Sequence, residues 1–265
     1  METPVQGNYD VVMREPAVEI DQFIQTLRDF GDVKVWSVIV TVLGDRFRHG
    51  PDGLGGPALT QILNALSIKP SALRVALHRL SNDGWLDIEK HGRTSFYKLS
   101  QMGQTRTADV SELVFSSRLP RQNDCFLALA ARDMSDKAPE CAVQIARRIW
   151  VTRTRPQDPD FLVASLDGQP LPPWVQASLV PDRQAASFRQ LSQLLATTSV
   201  VPEELTEDDR TTLRILILHH WRRLVLRHPE TIWYILGDEW DGARCRTKVV
   251  DWLDRLAPKS GASGL

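Results

Sequence analysis

Ser71, Arg74 and His78 stand three and four residues apart in the segment Ser71-Ala-Leu-Arg-Val-Ala-Leu-His78, a spacing that puts three polar side chains on one face of a helix. An arginine fork can donate two hydrogen bonds to the O6 and N7 atoms of guanine, worth about 1–3 kcal/mol of base discrimination, while a hydroxyl at a helix start either caps it or binds phosphate. Arg74 is therefore the first candidate to read a base edge, with Ser71 and His78 beside it. Lys69 precedes them. Arg79 borders the apolar stripe Leu73, Leu77, Leu80, where it either contacts the same ligand or packs its stem and pairs with Asp83, four residues on. Farther along, Lys90, His91 and Arg93 surround Gly92, and a glycine lets backbone come close to a phosphate. The plain alternative for the second group is a solvated turn.

These groups need elements to hold them. Val33 to Leu43 has helical apolar content, and a Gly/Pro/Asp-rich stretch from Arg46 to Gly56 is expected to stop it. Pro57 suits a first helical turn, and Leu59, Ile62, Leu63 and Leu66 recur at the spacing of an amphipathic helix. After the turn Ser67-Ile-Lys-Pro70, a third helix is expected to end near Asp83-Gly84. Trp85 to Lys90 and Arg93 to Leu99 alternate apolar and polar residues about His91-Gly92, which predicts a β-hairpin. Helix, helix, helix and hairpin in this order make a winged helix-turn-helix, whose third helix enters the major groove of DNA while the hairpin follows the backbone.

Charge agrees with that placement. The whole 265-residue chain carries a formal charge of -1, yet residues 33–106 hold ten Lys and Arg against five Asp and Glu, a net +5, while residues 1–32 hold two against seven, a net -5. A basic module in a near-neutral protein is the footprint of phosphate neutralisation, although many solvated faces are basic too. The hydrophobic fraction of 42% and charged fraction of 25% are those of an ordinary globular protein. The chain shows no apolar run of the roughly 20 residues a membrane span needs, and no secretory signal, so a cytoplasmic location is expected. Three cysteines, Cys125, Cys141 and Cys245, form neither a disulfide framework nor a zinc ribbon and are expected to be buried thiols.

The sequence resembles the PaaX family of phenylacetic-acid-catabolon repressors. The residues that carry the resemblance are Trp36-SVIVTVLGD-Arg46, SALRVALHRLSNDGWL from Ser71 to Leu86, GRTSFYKLSQMG from Gly92 to Gly103, and HHWRRLVLRHPETIWYILGDEWDG from His219 to Gly242. It implies a homodimeric bacterial repressor that binds a double-stranded DNA operator and lets go when phenylacetyl-coenzyme A binds. It also implies an α+β multidomain fold with an N-terminal winged helix-turn-helix, a small central ferredoxin-like α/β domain and a helical C-terminal domain. The expected boundaries are an acidic arm over 1–32, then 33–118, 119–180 and 181–265. In the centre, Arg121-Gln-Asn-Asp-Cys125 stands where the family has a Trp-Asp-Gly-x-Trp entry, so the inducer of a divergent member can differ.

The middle is expected to hold strands at Phe126–Ala130, Trp150–Thr154 and Phe161–Leu166, with a helix from Pro139 to Ile149. Helices are expected at Gln184–Leu195 and at Asp208–Arg227, the latter entered through Thr206. On that longer helix Leu213, Leu216, Ile217, His220, Trp221 and Leu224 form one apolar stripe. Arg222, Arg223 and Arg227, or Arg147, Arg148, Arg153 and Arg155, could hold a coenzyme A phosphate, since guanidinium forks match phosphate oxygens; solvated or carboxylate-paired arginines are the commoner case. His219, His220 and His228 resemble a metal cluster by number alone, because neighbours on a helix point about 100° apart. Trp221, Trp233, Trp240 and Trp252 read as packing residues. GxSxG, HExxH, Walker and dinucleotide motifs do not occur, so no enzyme, cofactor or metal is expected. The alternatives are a metal-dependent nuclease with a Cas2-like central domain, using Asp133 after the first central strand, and a winged-helix adaptor that binds protein.

Overall fold

The computed structural model describes residues 16–49, 53–117, 119, 124–131, 138–166, 171–238 and 240–258. It is a mixed α+β chain with two antiparallel sheets. A first helix, α1 (Pro16–Asp29), falls within the acidic N-terminal segment. Next, α2 (Val35–His49) runs past its expected end. Its last turn carries Arg46, Arg48 and His49, and cations there complement the helix dipole.

Strand β1 (Leu54–Gly55), helix α3 (Gly56–Ala65), helix α4 (Pro70–Asn82) and the hairpin β2 (Leu86–His91) and β3 (Thr94–Leu99) follow. Prolines occupy the first turns of α3 and α4, where their missing N–H costs nothing. Leu73, Ala76, Leu77 and Leu80 form the buried face of α4. The hairpin is in register from Leu86↔Leu99 to His91↔Thr94, and Gly92 turns it with φ +64°. The two-residue β1, which sequence alternation is too short to announce, pairs with β3 and makes the sheet three-stranded. Helices α5 (Gln101–Asp109) and α6 (Ser111–Phe115) lead out of the module. The Ser100 hydroxyl caps α5 by accepting the Gly103 N–H at 3.1 Å. A Cβ on Gly103 would lie 2.6 Å from the Trp85 carbonyl oxygen, so only glycine fits there.

The centre holds β4 (Phe126–Ala130), β5 (Ala142–Ala146), β6 (Ile149–Thr152) and β7 (Phe161–Ser165) in the order β5-β6-β4-β7, each neighbour antiparallel. The helix expected over Pro139–Ile149 is a correction: that stretch is β5, a turn and the start of β6. Ala, Gln and Arg have good helix propensity, but Cys141 and Arg148 adopt φ +53° and +63°. Helical φ is thus refused on both sides of a short segment, and pairing with β6 decides its state. Asp133 lies outside the described residues.

The chain then enters α7 (Pro173–Leu179), α8 (Asp182–Thr197), a short 3-10 turn (Pro202–Glu204), α9 (Glu207–Val225), α10 (Glu230–Ile235) and α11 (Asp241–Arg255). Thr206 caps α9, its hydroxyl accepting the Asp209 N–H at 3.2 Å. The single apolar stripe expected of α9 is also corrected. Arg210, Thr212, Arg214, Ile215, Leu218 and His219 are buried as well, because α1, α2, α3, α6, α8 and α11 all pack against it. One continuous core runs from α1 and α2 through α3, α4, α8, α9 and α11. The central sheet keeps a small core of its own, Ala128, Ala130, Trp150 and Phe161. Among the described residues no helix is long and apolar enough to cross a membrane.

A polar group buried on α9 must find a partner. Arg214 grips Asp45 of α2 with Nε to Oδ2 and Nη2 to Oδ1, both at 2.7 Å, and its Nη1 donates to the Leu253 carbonyl of α11. Arg210 donates to the carbonyls of Arg255 at 2.7 Å and Pro202 at 2.8 Å. His220 Nε2 donates to the Leu27 carbonyl at 2.7 Å, whereas neither ring nitrogen of His219 has a partner among the described residues. Burial lowers the His219 pKa from 6.5 to about 3 and that of His220 to about 4.

Removing one member of the Arg214–Asp45 pair strands a buried charge. Arg214→Met is expected to cost about 3–5 kcal/mol in urea unfolding, and the double variant Asp45→Leu, Arg214→Met to recover most of it; equal loss in both would mean that the pair is not what the site needs. The histidines add a pH dependence. The folded chain keeps both rings neutral where the unfolded chain protonates near 6.5. Their contribution is complete above that value and is lost as pH falls toward about 4. His219→Leu is expected to flatten the dependence of unfolding free energy on pH in that window, with no loss of stability at neutral pH.

Candidate nucleic-acid interface

Helix α4 is pinned from behind by Leu73, Leu77 and Leu80, which leaves Ser71, Arg74, Val75, His78, Arg79 and Asn82 exposed. Three of the expected readers, Ser71, Arg74 and His78, thus share the outer face. Arg74 enters no ion pair among the described residues. Arg79 sits 3.5 Å from Asp83, the local pairing foreseen for it, with both side chains mostly in solvent, so the pair is weak. His78 Nδ1 lies 3.2 Å from Asn82 Nδ2, which the amide can donate to. Lys69 is the N-cap residue of α4 and caps nothing with its side chain; it is exposed, as is Ser71.

Sequence reasoning passed over Val75 and Asn82. Val75 is 72% exposed, in the middle of a polar face. A β-branched apolar residue there gains nothing from the fold, and its position one after Arg74 was the available signal. Asn82 lies one turn beyond His78, next to the helix end expected at Asp83-Gly84.

At the hairpin tip Lys90, His91 and Arg93 are all exposed, and a Cβ on Gly92 would meet nothing within 4 Å. The tip is open to an approaching surface. Its positive charge is trimmed by Glu89, which forms an ion pair with Lys98 and lies 3.5 Å from His91 Nε2. The hydrogen bond from Lys98, then its charge, hold the Glu89 carboxyl below its ordinary pKa. His91 also sets its ring edge-on to Phe96 at 5.7 Å. Lys90 and Arg93 are therefore the cations of the tip without an ion-pair partner among the described residues.

The arginines considered for phosphate are scattered. Arg222 donates to the Thr41 hydroxyl at 2.7 Å, and burial lowers its pKa to about 10. Arg223 donates to the Asp32 carbonyl. Arg153 lies 3.4 Å from Glu230 and stacks 3.6 Å over Tyr234, and Arg148 donates to the Ala130 carbonyl at 3.3 Å. Arg147, Arg155 and Arg227 remain exposed. His228 packs against Phe188 and Trp240 rather than beside His219 and His220. The tryptophans pack as expected, Trp221, Trp233 and Trp240 forming a cluster around Phe188. The cysteines correct the reading of three buried thiols: Cys245 is buried, Cys125 half-buried and Cys141 exposed. Cys141 stands at the positive-φ entry to β5, on the surface.

Known proteins resemble the chain over these same parts. The sequence model of the family described as PaaX-like protein matches residues 34–103, the span from the start of α2 to the first turn of α5. The transcriptional repressor PaaX of Escherichia coli (strain K12) is 24% identical over 274 residues, covering 91% of this chain and 86% of that protein. These matches bear out the family resemblance read from the sequence. Among solved structures, the uncharacterized protein Rv0674 from Mycobacterium tuberculosis aligns with a TM-score of 0.49 and 18% identity over 83% of this chain and 94% of that one.

Proposed function

We propose that this PaaX-like protein is a sequence-specific, DNA-binding transcriptional regulator, and not an enzyme, whose residues 33–118 act as a winged helix-turn-helix. The observation that carries the reading is Arg74: an arginine without an ion-pair partner among the described residues, at the centre of the outward face of a helix whose inner face is locked in the core. In this reading α4 lies in the major groove. Arg74 forks to a guanine, Val75 meets a thymine methyl, and His78 and Asn82 face the neighbouring base pairs. Lys69, Ser71, Lys90, His91 and Arg93 contact phosphates and set the register, with Arg79 divided between Asp83 and DNA. The net charge of +5 over residues 33–106 supports such a footprint.

The finer reading is a repressor of an aromatic-acid catabolic operon, working in the bacterial cytoplasm as a twofold homodimer on an inverted repeat. An aryl-acyl-coenzyme A, with phenylacetyl-coenzyme A the first to try, releases it. To do so the effector must bind the non-operator conformation more tightly, since equal affinity for both states shifts nothing. Residues 119–180, whose described strands run in the order β5-β6-β4-β7, and the helical residues 181–265 are the regions assigned to dimerisation and effector binding. Of the seven arginines considered for the effector's phosphates, Arg147, Arg155 and Arg227 are the ones exposed to solvent.

Two measurements separate the roles. Arg74→Ala is expected to relax sequence preference at one base position by about 1–3 kcal/mol in fluorescence anisotropy; unchanged affinity and preference would remove Arg74 as a reader. Lys90→Ala and Arg93→Ala are expected to leave preference intact while each lowers the slope of log affinity against log salt by about 1. A slope that stays at the wild-type value would show that the tip does not touch phosphate.

A further inference from the structure

Helix α3 ends at a strained corner. Leu66 is its C-cap, and the chain turns back through Ser67, whose N–H donates to the Asn64 carbonyl at 2.8 Å, and Ile68, whose N–H donates to the Leu63 carbonyl at 2.9 Å. These two bonds make a Schellman motif, whose left-handed residue is usually glycine because a Cβ is penalised there. Here it is Ser67, at φ +61°. Leu66, Ser67 and Ile68 are all that separate α3 from Lys69, the N-cap of α4. The corner therefore sets the angle at which α4 leaves α3.

The Ala65 carbonyl, in the last turn of α3, receives no backbone N–H among the described residues. Arg28 of α1 answers it instead, donating from Nη2 across 37 residues of sequence. A charged donor on a carbonyl at the C-terminal end of a helix gains from the helix dipole as well as from the hydrogen bond. Nη1 of Arg28 turns back along its own helix to Gln25 Oε1 at 3.4 Å. The end of α1 that carries Arg28 is itself tied to α9. His220 Nε2 donates to the Leu27 carbonyl at 2.7 Å, Arg223 Nη1 donates to the Asp32 carbonyl, and Phe30 sets its ring edge-on to His220 at 5.1 Å. The corner is thus held by α1, and α1 by α9.

We propose that Arg28 is a positioning residue for the reading of DNA. It holds the corner between α3 and α4, so that α1, which lies outside residues 33–118 and outside the matched span 34–103, is a working part of the reading head. The hold on the corner stands on its own geometry, and its consequence for DNA rests on the function proposed above.

Amide hydrogen exchange and DNA binding of the full-length Arg28→Met variant test the two halves. Methionine keeps an apolar stem and removes the donor. Exchange of the Ser67 and Ile68 amides is expected to quicken about tenfold, the equivalent of one hydrogen bond from a charged group, with the amides of α9 unchanged. Affinity for duplex DNA from upstream of the gene is expected to fall by up to about tenfold. The slope of log affinity against log salt stays at its wild-type value, because no phosphate contact is lost. Adding Ser67→Gly, which takes the left-handed corner without penalty, is expected to recover most of both losses. Where Arg28→Met does not fold, Arg28→Lys, which keeps the charge but not the fork, is measured in the same way and is expected to give a smaller change confined to the corner.

Unchanged exchange at Ser67 and Ile68 would overturn the proposal. So would acceleration spread evenly through α9, which marks a general loss of stability, a salt slope lowered by about 1, which marks Arg28 as a phosphate ligand, or no recovery with Ser67→Gly. Equal binding of upstream and scrambled duplexes by the wild-type chain would remove the DNA reading and with it the role of Arg28 in reading, while the exchange result decides the hold on the corner.

Discussion

Arg214 and Asp45 meet deep in the interior through two parallel hydrogen bonds of 2.7 Å, with side chains 5% and 9% exposed. Charges that far from water persist only when geometry and further hydrogen bonds answer both of them, and here the third donor of the fork goes to α11. The pair fixes where α2 crosses α9, and α2 is the first helix of the proposed DNA-reading module. A hydrophobic contact of equal area would tolerate sliding, but a bidentate fork does not. Arg210, His220, Trp221 and Arg222 repeat the device along the same helix, tying it to the 202 turn, α1, α6 and α2 in succession.

α9 is thus a polar-studded axle inside an apolar core, and the rest of the fold is arranged around it. Helices α2 to α4 and the helices α8, α9 and α11 share one core. The central sheet differs. Its own core has four small or aromatic members, and it joins the helices through α7 and α10, where Val143 and Ile145 of β5 meet Val175, Leu179 and Ile232. α11 meets α6 through Arg246 and α9 through the Leu253 carbonyl, and α9 holds α2 through Asp45.

The parts legible in the sequence were those where a local rule decides the structure. Pro57 opened a helix, Gly92 turned the hairpin, and Thr206 capped α9, each through an interaction within a few residues. The face of α4 followed from the same logic, since Leu73, Leu77 and Leu80 leave only one side for Arg74. What escaped was set by distant partners. The 139–149 stretch has helical composition and becomes β-structure because β6 pairs with it. The stripe read on α9 does not include Arg214 or His219, and nothing local shows that Asp45, 169 residues earlier, waits for that arginine. Val75 needed only to be recognised as the wrong residue type for an exposed helix face.

The proposed reading of DNA sequence by residues 33–106 is tested by a fluorescence anisotropy titration of the full chain. The duplex is DNA from upstream of its own gene, set against a scrambled duplex of the same composition at about physiological salt. Affinity for the upstream DNA is expected to be at least about a thousandfold above that for the scrambled duplex, the low end for specific regulators. Equal, salt-sensitive binding to both duplexes, or no binding to either, would contradict it.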